Sequence, residues 1–116
     1  MARDRRKAQT LYHDAFAEHL ETQKLAPGSL CWMYNVLVGV PAIRDLVIED
    51  LQAHGIEARP TFPLLSEMPY YVLTDDVHTP IAADIVDRGI TLPTGRQVTQ
   101  RVVDRIVERF TKLGVL

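Results

Sequence analysis

The stretch Arg59-Pro-Thr-Phe-Pro-Leu-Leu-Ser-Glu-Met-Pro-Tyr-Tyr71 gathers the side chains of this chain most able to do chemistry. Arg59 offers a planar cationic fork that suits a phosphate or a carboxylate. Phe62, Tyr70 and Tyr71 offer aromatic faces and edges, and Ser66 a hydroxyl. Its three prolines remove backbone donors and bias their neighbours away from helix, so the segment is expected to run extended and turning over a surface. A loop of this length and composition either serves a site or an interface, or lets Phe62, Leu64, Leu65, Met68 and the tyrosines cap a small core.

Other chemistry is sparse. His13, His19, His54 and His78 have no metal-ligand spacing, and a single cysteine is present to join them. His13 and His19 fall on different faces of a helix, and His54 sits at a helix end where a cation suits the dipole. Cys31 lies in an apolar run, cannot form an internal disulfide, and reads as a buried small hydrophobe. The glycines are scattered singly at breaks, which excludes Gly-rich phosphate loops, and Ser29 and Ser66 lack a nucleophile-elbow frame. Asp75-Asp76 reads as a solvated pair in a polar loop. No complete active site and no metal site are expected.

The elements that must hold the Arg59–Tyr71 segment follow from periodicity. With 116 residues, 47% of them apolar, the chain is expected to form one domain with a modest core. A formal charge of −2 gives no basic field to draw nucleic acid or an anionic membrane. No apolar run approaches the roughly 20 residues that span a bilayer, and the charged start is not followed by an apolar signal core. A soluble, cytoplasmic protein is expected.

From about Arg3 to Thr22, Ala8, Leu11, Tyr12, Ala15, Phe16 and Leu20 keep the spacing of one helical face. The basic cluster Arg3, Arg5, Arg6 and Lys7 opposes the dipole at its start, which fits either a helix continuing upstream or a solvated, frayed terminus. Leu30–Gly39 is nearly continuous apolar sequence and reads as a central strand covered on both faces. Pro41 starts a second helix with Ile43, Leu46, Val47 and Leu51 inward, ended by Gly55. Ile56–Arg59 reads as a short strand. Thr79-Pro80 opens a third helix, capped by the threonine, that runs to Arg88. Ile90–Leu92 is a third strand, and Thr99 caps a last helix whose stripe is Val102, Val103, Ile106, Val107, Phe110 and Leu113, with Val98 and Val103 stapled across the cap. The expected fold is α+β: a two-layer small domain in which four helices, gathered mainly on one face, cover a three-stranded, mainly antiparallel sheet.

Ser29-Leu-Cys-Trp-Met-Tyr34 before a strand, Arg44-Asp-Leu46 in a helix that ends in His54-Gly-Ile-Glu-Ala-Arg-Pro60, then Glu67-Met-Pro-Tyr70 and Arg88-Gly-Ile-Thr-Leu-Pro-Thr94, occur here in that order. Together they resemble the C-terminal small domain of the DegT/DnrJ/EryC1/StrS sugar aminotransferases, pyridoxal-phosphate enzymes of fold type I. The likeness is greatest to the perosamine-synthase-like branch that aminates 4-keto nucleotide sugars. It covers nearly the whole chain, and the helix bearing Arg5-Arg6-Lys7 resembles the one that joins large and small domains.

The resemblance implies that the chain contributes a wall of the substrate cleft, with Arg59, Phe62, Ser66, Tyr70 and Tyr71 as substrate-binding candidates and no catalytic residue. Many relatives carry histidine where Ser66 stands, a departure at that position. In the family the pyridoxal-phosphate lysine comes from a large domain. Lys7, Lys24 and Lys112 lie in no such context, so no cofactor is expected on this chain and no transamination from it alone. Two functions stay open. One is part of a sugar aminotransferase, as a fragment or one half of a split enzyme, completed by a large pyridoxal-phosphate-binding domain. The other is a free-standing module that binds a small anionic ligand or a partner through the Arg59–Tyr71 surface. Either way, self-association through the first helix and the nearby sheet edge is expected.

Overall fold

The computed structural model describes residues 2–64 and 79–116. The elements are helix α1 (Ala2–Phe16), strands β1 (Glu21–Thr22) and β2 (Tyr34–Leu37), helix α2 (Pro41–Ala53), strand β3 (Arg59–Pro60), helix α3 (Pro80–Arg88), strand β4 (Gly89–Leu92) and helix α4 (Gln100–Lys112). The strands form an antiparallel sheet in the order β1-β2-β4-β3, with Tyr34 opposite Leu92, Val36 opposite Ile90 and Arg59 opposite Thr91.

The strand period of two sorts the central strands. Tyr34, Val36, Ile90 and Leu92 point to one face and are buried in one core with residues of α1, α2 and α4. Asn35, Leu37 and Thr91 point the other way and are half-buried. On α1, Ala8, Tyr12 and Phe16 recur at intervals of four and are fully buried. The Tyr12 ring stacks on Tyr34 at a centroid distance of 5.0 Å, and Phe16 meets Phe110 of α4 at 5.3 Å. Aromatic pairs at these separations join the helical layer to the sheet and to itself.

The α+β, two-layer expectation with four helices holds, with corrections in detail. The sheet has four strands rather than three. The first helix ends at Phe16, not Thr22, and after a turn Glu21 and Thr22 pair with Leu37 and Val36. Two residues are too few to show alternation, so β1 exists because β2 leaves a row of backbone groups open on that side. The Leu30–Gly39 run is a strand only over Tyr34–Leu37, covered fully on one face, and Leu30 and Trp32 are exposed. β3 starts at Arg59 instead of Ile56. In α2 the inward residues are Val47, Ile48 and Leu51, while Leu46 is 61% exposed. Leu113, assigned to the buried stripe of α4, is partly exposed.

Element ends follow local chemistry. Gly55 ends α2 at φ +78°, a conformation open to glycine. Thr99 caps α4 by accepting a hydrogen bond from the Val102 amide, and Val98 and Val103 beside it are both buried. Thr79 does not cap α3 with its side chain: at ψ 69° it departs from the extended backbone that aims the hydroxyl at the helix amides. Pro80 nevertheless occupies the first turn as expected.

Candidate functional site

The sheet face turned away from α1, α2 and α4 is the floor of an open cleft of about 570 Å³. Asn35, Leu37 and Thr91 line it from the central strands, and the Thr91 hydroxyl donates to Asn35 Oδ1 at 2.6 Å. Two aromatic side chains make one wall. Trp32 is 61% and Phe62 65% exposed, and their rings meet at a centroid distance of 6.3 Å, tilted by 50°. Ile85 of α3 adds an apolar edge. An aromatic wall over a floor of amide and hydroxyl groups can stack a planar or sugar ring and orient it by hydrogen bonds.

The approach to β2 is fixed from α1. Arg5 Nη1 donates to the Trp32 carbonyl and to Thr94 Oγ1, and the Thr94 hydroxyl also donates to that carbonyl at 2.7 Å. Gln9 Oε1 accepts from the Cys31 amide at 2.9 Å. Arg5 and Gln9, four residues apart on one helical face, thus hold the backbone that presents Trp32. Sequence reasoning placed Arg5 in a basic terminal cluster and Trp32 in a buried strand. No local pattern marks either role, because their partners lie 27 or more residues away. Cys31 lines the cleft but is 4% exposed, its thiol donates to the Met33 carbonyl, and burial pushes its pKa up. Its environment is that of a packed side chain, as expected, and a thiol kept protonated is a poor nucleophile.

Arg59 opposes Thr91 on the edge strand, so it leaves the sheet on the cleft side. Its guanidinium pairs with Glu57, and both side chains are largely exposed. An exposed pair of this kind is worth little and exchanges readily for a better anion. Phe62 follows directly and lines the cleft. The structure therefore brings Arg59 and Phe62 to one edge of the sheet face. Ser66, Tyr70 and Tyr71 lie outside the described residues, as do Leu65, Met68, Asp75, Asp76 and His78.

Among the described residues no helix is long and apolar enough to cross a membrane. Lys7, Lys24 and Lys112 are all exposed, Lys112 is 3.0 Å from Glu108, and none of the three lines the cleft.

The family model of the DegT/DnrJ/EryC1/StrS aminotransferase family matches residues 1–111. The chain belongs to that family. It is 40% identical over 88 residues to GDP-perosamine synthase of Caulobacter vibrioides, a match covering 72% of this chain and 23% of that protein. Two solved aminotransferases share the fold. The Helicobacter pylori aminotransferase PseC, involved in the biosynthesis of pseudoaminic acid, superposes with a TM-score of 0.80 at 20% identity, covering 97% of this chain and 32% of that one. The sugar aminotransferase CalS13 of Micromonospora echinospora gives 0.79 at 19% identity, covering 97% and 30%. The chain thus spans less than a third of the length of these aminotransferases.

Proposed function

We propose that residues 1–116 are the small domain of a pyridoxal-phosphate aminotransferase acting on a 4-keto nucleotide sugar, and that the open sheet face is their wall of the substrate cleft. The observation that carries this reading is the exposed Trp32–Phe62 pair beside the Asn35–Thr91 floor, on a chain 40% identical over its matched length to GDP-perosamine synthase. Arg59 exchanges Glu57 for a phosphate of the nucleotide. Phe62 and Trp32 stack against a ring of the substrate, and Ser66, Tyr70 and Tyr71, candidates by resemblance, extend the same wall.

Pyridoxal phosphate supplies the electron sink for amino transfer when bound to such enzymes. The residues here do not fit its anchoring: Lys7, Lys24 and Lys112 are all on the surface and none of them lines the cleft. The cofactor amine therefore comes from a large domain, with which this chain acts in the cytoplasm. The test is to mix the purified chain with the portion of the Caulobacter synthase that it does not match, pyridoxal phosphate, an amino-acid amino donor and a GDP-linked 4-keto sugar. Amino transfer above that of either piece alone is expected, with KM raised in Arg59→Ala and Phe62→Ala. A mixture no more active than its parts rejects the reading.

Arg59 and Phe62 at one sheet edge also suit a second reading, a module that binds an anionic ligand or partner through that surface without catalysis. Calorimetry separates the two: nucleotide-sugar binding to the chain alone, without any gain on adding the large domain, selects the second.

A further inference from the structure

Strand β1 divides the sheet-face cleft from a second, larger cavity of about 840 Å³ on the helical side, between α1 and the segment 20–29. Gln9, His13 and Ala17, spaced by four along α1, form one wall, and Lys24 stands on the other. Tyr34 lines it from below.

Tyr34 is 2% exposed and its ring stacks on Tyr12. The two phenols are otherwise unlike. Tyr12 donates to the Pro93 carbonyl at 2.6 Å, whereas the Tyr34 hydroxyl is buried without a hydrogen-bond partner among the described residues. The Thr22 hydroxyl, on the same side of the sheet by its register opposite Val36, tempers the burial-raised pKa of Tyr34 without closing a hydrogen bond of normal geometry. Tyr34 therefore presents a protonated phenol toward the β1 side, where the cavity lies, and a buried donor of this kind calls for an acceptor. Lys24 supplies a cation and His13 an imidazole, while Glu21, the single acidic lining residue, is already 3.6 Å from Arg88 Nη1.

We propose that this cavity is a second binding site, separate from the substrate cleft, for a small metabolite that bears an oxyanion and a further acceptor oxygen. The oxyanion sits at Lys24 and His13, and an oxygen of the ligand body accepts from Tyr34. Phosphate and carboxylate share this chemistry, and the probes tell them apart.

The full chain is titrated with glucose 1-phosphate, glucuronate and glucose, followed by amide chemical shifts of residues 9–34. Saturable shifts with glucose 1-phosphate or glucuronate, and none with glucose, are expected. Tyr34→Phe, which keeps the ring on Tyr12, and Lys24→Ala, an exposed change, should each weaken binding by about fivefold or more. Phe62→Ala, in the other cleft, and Arg59→Ala, on the edge strand beside it, should leave it unchanged. The proposal is overturned by equal shifts with glucose, by no shift up to about 10 mM, or by binding that responds to Phe62→Ala and Arg59→Ala but not to Lys24→Ala. Because those two variants read the substrate cleft, failure here leaves the aminotransferase reading standing, and the reverse.

Discussion

Arg109 of α4 holds Asp50 of α2 through two parallel hydrogen bonds, Nε to Oδ2 and Nη2 to Oδ1, both 2.7 Å long. Both side chains are about four-fifths covered, at 21% and 18% exposure, so the fork locks the two helices at one separation. His54 completes the cluster: its carbonyl accepts from Arg105 of α4, and its Nδ1 lies 2.7 Å from the Asp50 carbonyl.

This pair makes stability depend on acid. The hydrogen bond from Arg109 holds the Asp50 carboxyl below its ordinary value of 3.8 in the folded state. A depressed folded pKa contributes stability above the unfolded value and loses it as pH falls through the folded one. Thermal stability is therefore expected to fall as pH drops below 3.8, and Asp50→Asn should flatten that part of the profile. Midpoints measured by circular dichroism at pH 2.5 to 6 would check this, with equal acid sensitivity in the two proteins as the contrary result.

Alkali acts through the stacked tyrosines. Burial raises the pKa of both Tyr12 and Tyr34 above the ordinary 10.0. A raised folded pKa contributes stability fully below the unfolded value and loses it as pH climbs through the folded one. Their tyrosinate absorbance is expected only as the chain unfolds above pH 10. Tyr12→Phe removes one such group and orphans the Pro93 carbonyl, costing about 1–2 kcal/mol. Ultraviolet titration alongside urea unfolding would measure both.

Gly89 is expected to be intolerant of any side chain. A Cβ there would run into Thr61 Cγ2 and stand 2.5 Å from the Ile85 carbonyl oxygen. That junction joins α3 to β4, and Thr61 donates its amide to the Gly89 carbonyl across it. Gly89→Ala should destabilise by about 2 kcal/mol through overpacking. Adding Thr61→Ala should recover part of the loss, since the Ile85 carbonyl still clashes. Urea midpoints of the single and double variants would show it.

Phe62→Ala should leave stability within about 0.5 kcal/mol, as expected of an exposed side chain. It should nonetheless shift the emission of Trp32, the sole tryptophan, to longer wavelength by uncovering the indole. Unchanged emission would show that the two rings do not meet in solution.

The linear order of residues determined what depends on near neighbours. Apolar spacing on α1 and α4, the positive-φ glycine after α2, the threonine cap of α4 and the proline opening α3 are set within a few residues, and all were legible. Motif order was legible for the same reason, and with it the family. Only the tertiary structure decided which strand faces are covered, that Glu21 and Thr22 join the sheet, that Leu46 and Trp32 turn outward, and that Arg5 reaches Trp32 and Thr94. Those outcomes depend on backbone groups and surfaces brought together from distant parts of the chain. A two-residue strand or a single arginine carries no periodic signal of the partner it will meet.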